Sequence, residues 1–89
     1  MRQWTAILVL MFASSVVWAQ SPEEAFAKGN AKYQKEAYQE ALDAYQGALD
    51  AGYESAALYY NMGNASFKLG LEGKAILYYE KALKLKPGD

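Results

Sequence analysis

Whatever chemistry this chain performs, it performs without the usual catalytic and metal-binding side chains. It contains neither cysteine nor histidine, which excludes disulfide frameworks and the common zinc, haem-histidine, Cys-His and Ser-His-Asp arrangements. Its carboxylates form no catalytic pair. Glu23-Glu24 reads as a helix start, Glu40, Asp43 and Asp50 as the solvated face of a helix, and Ser66 as a small packing or groove residue with no base to activate it. Neither a cofactor nor a metal is expected, and neither is catalysis. Recognition is what the remaining residues can do. Asn64 follows Tyr60 by four residues, so one helical face carries an amide that can both donate and accept beside an aromatic platform. Asn30 and Tyr33 offer a similar pair earlier in the chain. Tyr78-Tyr79, beside Tyr59-Tyr60, fits no cofactor box and is expected to pack the inter-repeat core.

Those pairs must be held by helices, and the helices come in two copies. At an offset of 34 residues, without a gap, Gly29 coincides with Gly63, Asn30 with Asn64, Ala31 with Ala65, Ala41 with Ala75, Tyr45 with Tyr79, Ala48 with Ala82 and Leu49 with Leu83. Small and aromatic residues recur in this way when two helices approach closely and a ring fills the space beside the gap. Ser21-Pro22-Glu23-Glu24 supplies a cap, a proline at the first helical position and acidic residues at the positive end of the dipole. A first helix is expected from Pro22 to about Gln34, and a second from Tyr38 to about Ala51, where Gly52 offers a left-handed stop. Ser55 caps a third helix from Ala56 to about Leu69, ended by Gly70. The fourth runs from about Leu71 to Lys86, with Lys81, Lys84 and Lys86 near its negative end and Pro87 closing it. Gly29 and Gly63 each weaken a helix interior by about 1 kcal/mol relative to alanine, so a close helix crossing is expected at both.

The period and the small residues together resemble the tetratricopeptide repeat, whose pattern is an aromatic, then Leu-Gly, an alanine and a second aromatic, then proline. The second copy has Tyr59, Met62-Gly63, Ala75, Tyr79 and Pro87 in those places, with Ser66 where a tyrosine is usual. The first keeps Gly29, Ala41, Tyr45 and Ala48, but has Ala25, Lys28 and Tyr53 at the aromatic, leucine and proline positions. The resemblance implies an all-α fold of two tandem helix-turn-helix hairpins, residues 22–55 and 56–89, forming a short α-solenoid. It also implies a non-catalytic module that binds a protein or peptide in a groove lined by the first helix of each hairpin. Carried over by position, the groove residues are Phe26, Asn30, Tyr33 and Gln34 from one hairpin and Tyr60, Asn61, Asn64, Phe67 and Lys68 from the next. Asn30 and Asn64 are equally readable as satisfying the neighbouring helix. The subfamily that clamps a terminal carboxylate matches at Asn30 and Asn61 but has lysine where Phe26 stands, so an apolar or aromatic segment is the expected ligand.

The rest of the composition bounds the partner. Eighty-nine residues, 53% apolar and 21% charged with a net charge of −1, describe one small globular domain without a basic stripe for nucleic acid or a polybasic patch for lipid. Residues 1–19 differ from everything after them. Arg2 precedes the apolar run Ala6 to Ala13, and Val17-Trp18-Ala19 places compact residues where a signal peptidase reads. An export signal cleaved after Ala19 is expected, the alternative being a retained membrane anchor, although Trp4 to Ala19 is shorter than the roughly 20 residues that span a bilayer. A signal followed by AFAKGNAKY and GYESAALYYNMGNASFKLG is similar to the N-terminal repeat region of BatE-like bacterial aerotolerance-operon proteins. That similarity implies a periplasmic or cell-envelope location and a place in a Bat-type complex. Two other readings stay open: a scaffold fragment that self-associates through its last helix, where Ile76, Leu77, Tyr79, Leu83 and Leu85 crowd together, and an anchored assembly subunit.

Overall fold

The computed structural model describes residues 20–86, so the export signal expected at residues 1–19 and the closing Pro87 lie outside the described residues. Four helices follow one another, α1 (Pro22–Gln34), α2 (Tyr38–Asp50), α3 (Ala56–Lys68) and α4 (Glu72–Leu85), and no strand occurs among the described residues. Each matches its expected span to within a residue. Two helices begin on a serine cap. The Ser21 hydroxyl accepts the Glu24 amide at 3.2 Å and the Ser55 hydroxyl accepts the Leu58 amide at 3.0 Å. The reciprocal bond that would complete a capping box, with the Glu24 carboxylate accepting the Ser21 amide, is not formed among the described residues.

The three connections share one device. In each, a residue of positive φ follows the helix: Glu36 at 61°, Gly52 at 91° and Gly70 at 76°. Two backbone amides then fold back on the last turn, Glu36 to Tyr33 and Ala37 to Lys32, Gly52 to Leu49 and Tyr53 to Ala48, Gly70 to Phe67 and Leu71 to Ser66, all between 2.9 and 3.0 Å. Glycine explains two of these turns without steric cost. Glu36 occupies the position that Gly70 takes one repeat later, so the repeat dictates the turn there and the residue type does not.

Connections this short oblige successive helices to run antiparallel. Within each hairpin the approach is closest at the glycine. A Cβ added to Gly29 would fall inside the van der Waals envelope of the Tyr45 ring, and one added to Gly63 would meet the Tyr79 ring at 2.5 Å. Both glycines therefore return their helix-propensity penalty as space for a tyrosine from the paired helix. The α3 helix then packs on α2 and touches α1, closing one cluster that contains Ala25, Ala41, Leu42, Tyr45 and Ala48 from the first hairpin and Leu58, Tyr59, Met62, Ala65 and Ala82 from the second. Lys32 and Glu40 tie α1 to α2 at the surface, 2.9 Å apart, and that lysine holds the Glu40 carboxyl below its ordinary range.

Candidate functional site

Where α1 and α3 lie side by side they leave a cleft of about 360 Å³, lined by Asn30, Tyr33 and Gln34 of α1, Tyr45 of α2, and Asn61 and Asn64 of α3. The residues reach one place because Asn30, Tyr33 and Gln34 fall on one face of α1 at helical spacing, while Asn61 and Asn64 fall three residues apart on α3. Hydrogen bonds fix the amides. The Tyr45 hydroxyl donates to Asn30 Oδ1 at 2.7 Å, and Asn61 Nδ2 donates to the same oxygen at 2.9 Å. One repeat on, the Tyr79 hydroxyl donates to Asn64 Oδ1 at 2.6 Å.

The tyrosine hydroxyls are dependable donors. Burial, reinforced by the nearby Tyr33, pushes the Tyr45 phenol up to about 12, with the Asn61 side chain pulling slightly the other way. Burial, then Tyr60 and Tyr33, also raises Tyr79. Both phenols stay protonated throughout the physiological range, so the amide oxygens of Asn30 and Asn64 are held as acceptors. Their Nδ2 groups form no bond among the described residues, and neither does the Gln34 side chain. The cleft thus presents unspent amide donors beside the Tyr33 ring, itself set edge-on to Tyr38 at 5.2 Å. Backbone carbonyls of a peptide are the complementary chemistry.

Five of the nine residues expected in the groove come together here: Asn30, Tyr33, Gln34, Asn61 and Asn64. The other four do not line it. Phe26 is half-buried, its ring 5.9 Å from Tyr45 and 5.8 Å from Tyr53. Tyr60 lies in a separate concavity, beside Tyr79, their rings 5.8 Å apart. Phe67 and Lys68 are exposed and line neither hollow. Tyr45 was not among the expected residues, because the expectation followed only the first helix of each hairpin; its identity with Tyr79 at the repeat offset was the available signal. The tyrosines expected in the inter-repeat core pack within their own hairpin instead: Tyr78 stacks on Tyr59 at 6.4 Å, with Lys81 over the Tyr59 ring, and Tyr79 lies against Gly63 and Tyr60.

No group of three or more acidic residues positioned to hold a metal ion occurs among the described residues. Ser66 is wholly buried and its hydroxyl has no partner, so it faces no cleft from which a substrate could reach it. No described helix is long and apolar enough to cross a membrane.

A tetratricopeptide repeat family model matches residues 26–89, whereas no curated protein shows significant similarity to the chain. Repeats of this kind generally mediate protein–protein interaction and are typically non-catalytic. With the match spanning most of its length, the chain belongs to the tetratricopeptide repeat family.

Proposed function

We propose that the protein is an exported, non-catalytic interaction module of the bacterial cell envelope, which holds a peptide segment of a partner protein in the cleft between α1 and α3. One observation carries this reading: amide donors of Asn30, Gln34 and Asn64 left without partners converge beside the Tyr33 ring in one cleft. The envelope location rests on the signal-like residues 1–19, and membership of a Bat-type assembly on the similarity of the repeat region. A cleft this short takes a short segment, so affinity is expected on the order of micromolar or weaker.

Gln34 tests the reading most directly, since it lines the cleft and supports nothing in the fold. Capture from bacterial envelope extract on immobilised protein is expected to fall several-fold with Gln34→Ala, and further with Asn64→Ala, at roughly 1 kcal/mol per lost hydrogen bond. Asp43→Ala, on the exposed side of α2, should capture as wild type does. Capture that survives Gln34→Ala and Asn64→Ala unchanged would sink the assignment of the cleft. Export is checked separately by intact mass: cleavage after Ala19 removes both tryptophans, Trp4 and Trp18, and leaves only tyrosine emission. A membrane-bound product that still emits as tryptophan would replace the exported module by an anchored subunit.

A further inference from the structure

Asn30 and Asn61, joined across the cleft, leave opposite groups free. Asn30 Oδ1 accepts twice, from the Tyr45 hydroxyl at 2.7 Å and from Asn61 Nδ2 at 2.9 Å. Both its lone pairs are occupied, and its Nδ2 remains a donor without a partner among the described residues. Asn61 is left the other way round. Its Nδ2 is committed to Asn30 and faces the Tyr45 phenol, which it pulls down, whereas its Oδ1 accepts nothing among the described residues. One hydrogen bond therefore joins two amides that show the cleft a free donor on α1 and a free acceptor on α3.

Few groups answer both edges at once. A trans peptide group points its N–H and its C=O in opposite directions, so the backbone of an extended segment meets one edge or the other. A carboxylate only accepts, and an ammonium or guanidinium only donates, so each leaves one edge facing its own kind. A primary carboxamide carries a C=O and an N–H on the same side of one planar group and satisfies both. The side chains lining the cleft are all uncharged, and burial keeps the Tyr45 phenol protonated, so the lining holds nothing that would neutralise an ionised ligand. Tyr33, half-buried one turn beyond Asn30, supplies an apolar wall for a methylene stem.

We propose that the cleft selects a primary carboxamide, the side chain of a glutamine or asparagine in the segment it holds. This rests on the reading of the cleft as a peptide site and adds the anchor to it. The ligand carbonyl accepts from Asn30 Nδ2 and the ligand amide donates to Asn61 Oδ1. Because Asn30 and Asn61 belong to different hairpins, the selectivity is built by the way the hairpins meet and by neither one alone.

The probes are N-acetyl-glutamine N-methylamide, its asparagine homologue, and the glutamate and norleucine counterparts. Each is titrated into the intact, nitrogen-15-labelled protein while the side-chain amide resonances of Asn30, Asn61 and Asn64 are followed by NMR. The glutamine and asparagine compounds are expected to bind saturably on the order of ten millimolar, as suits a single small anchor, with the largest shift at Asn30. The tighter of the two shows which stem length the cleft takes. The glutamate compound, alike in shape but charged, and the apolar norleucine compound should each bind at least about tenfold more weakly. Asn61→Leu removes the acceptor edge and should bring the glutamine compound down to the norleucine level, in a variant whose dispersed amide spectrum shows it folded. Asp43→Ala should leave the series unchanged. Equal binding of the glutamine and glutamate compounds, or a preference that survives Asn61→Leu, overturns the proposal, and the wild-type series decides it alone should that variant not fold. The two readings fail separately. Capture from extract that falls with Gln34→Ala and Asn64→Ala, without any preference for glutamine over glutamate, keeps the peptide site and removes the carboxamide anchor. A carboxamide preference with capture indifferent to those variants supports the anchor and removes the peptide site.

Discussion

Tyr45 and Tyr79 are the same residue in two copies of one hairpin: each covers a glycine of the paired helix and each donates its hydroxyl to an asparagine fifteen positions upstream. Among the described residues only Tyr45 has a further helix laid over its neighbourhood. It is 1% exposed and its phenol is pushed up to about 12, whereas Tyr79 is half-buried and raised less far. Local sequence sets the contact, but tertiary cover sets what it is worth. A motif read identically at two places can therefore be structural cement at one and an accessible surface at the other.

The largest expected consequence lies one turn away. Leu42→Ala removes a buried side chain from the cluster that α3 closes and is expected to destabilise by about 3 kcal/mol, whereas Ile76→Ala at the equivalent exposed position should change stability by less than about 0.5 kcal/mol. Chemical denaturation of the two variants reads the difference. Equal losses would mean that Ile76 is covered in solution and would break the comparison.

Alkali separates the tyrosines next. A phenol raised in the folded state favours folding fully below its unfolded pKa near 10, and that contribution is lost as pH rises toward the folded value. For Tyr45, held up to about 12, the window is pH 10 to 12. A shift of that size corresponds to a few kcal/mol of stability lost across it. Tyr45→Phe should flatten the decline and Tyr79→Phe should flatten it less, as followed by helicity against denaturant at each pH. A decline indifferent to Tyr45→Phe would break the assignment of the buried phenol.

The glycines sharpen the same contrast. An added methyl at Gly29 meets a ring with no free space beside it, so Gly29→Ala should cost about 2 kcal/mol. At Gly63 the half-buried Tyr79 can swing outward at the expense of its bond to Asn64, so the corresponding loss should be nearer 1 kcal/mol. Thermal melts of the two variants test this ranking. Here sequence was a good guide: a glycine inside a helical pattern, repeated at the same offset as a tyrosine, announces a close crossing, and the helix ends were legible from Ser21, Ser55, Gly52 and Gly70 for equally local reasons. Half the groove was legible too, because Asn30, Tyr33 and Gln34 share one face of one helix. What escaped was set by how helices meet. The bridge from Asn61 to Asn30 depends on the register between hairpins, Tyr45 reaches the cleft from the second helix of its pair, and Tyr60 lies in a different hollow from Asn64 although both sit on one helix.

Glu36 is the position where local sequence and repeat disagree, and it carries the smallest effect. The turn after α1 has the backbone of the turn after α3, down to the paired amide-to-carbonyl bonds, yet it places a glutamate at φ 61° where the later repeat has Gly70 at 76°. A residue with a Cβ is strained in that region by about 1 kcal/mol or slightly more, and part of any relief is returned because glycine also gains freedom in the unfolded chain. Glu36→Gly should therefore stabilise the protein by about 0.5 kcal/mol. Gly70→Ala should destabilise it by about 1 kcal/mol, its Cβ meeting nothing nearby, so that backbone strain is the whole effect. Neither substitution touches the core or the cleft, so peptide binding should not move. A Glu36→Gly variant that melts lower than wild type would mean the first turn is held by its side chain, and the equivalence of the two turns would fail with it.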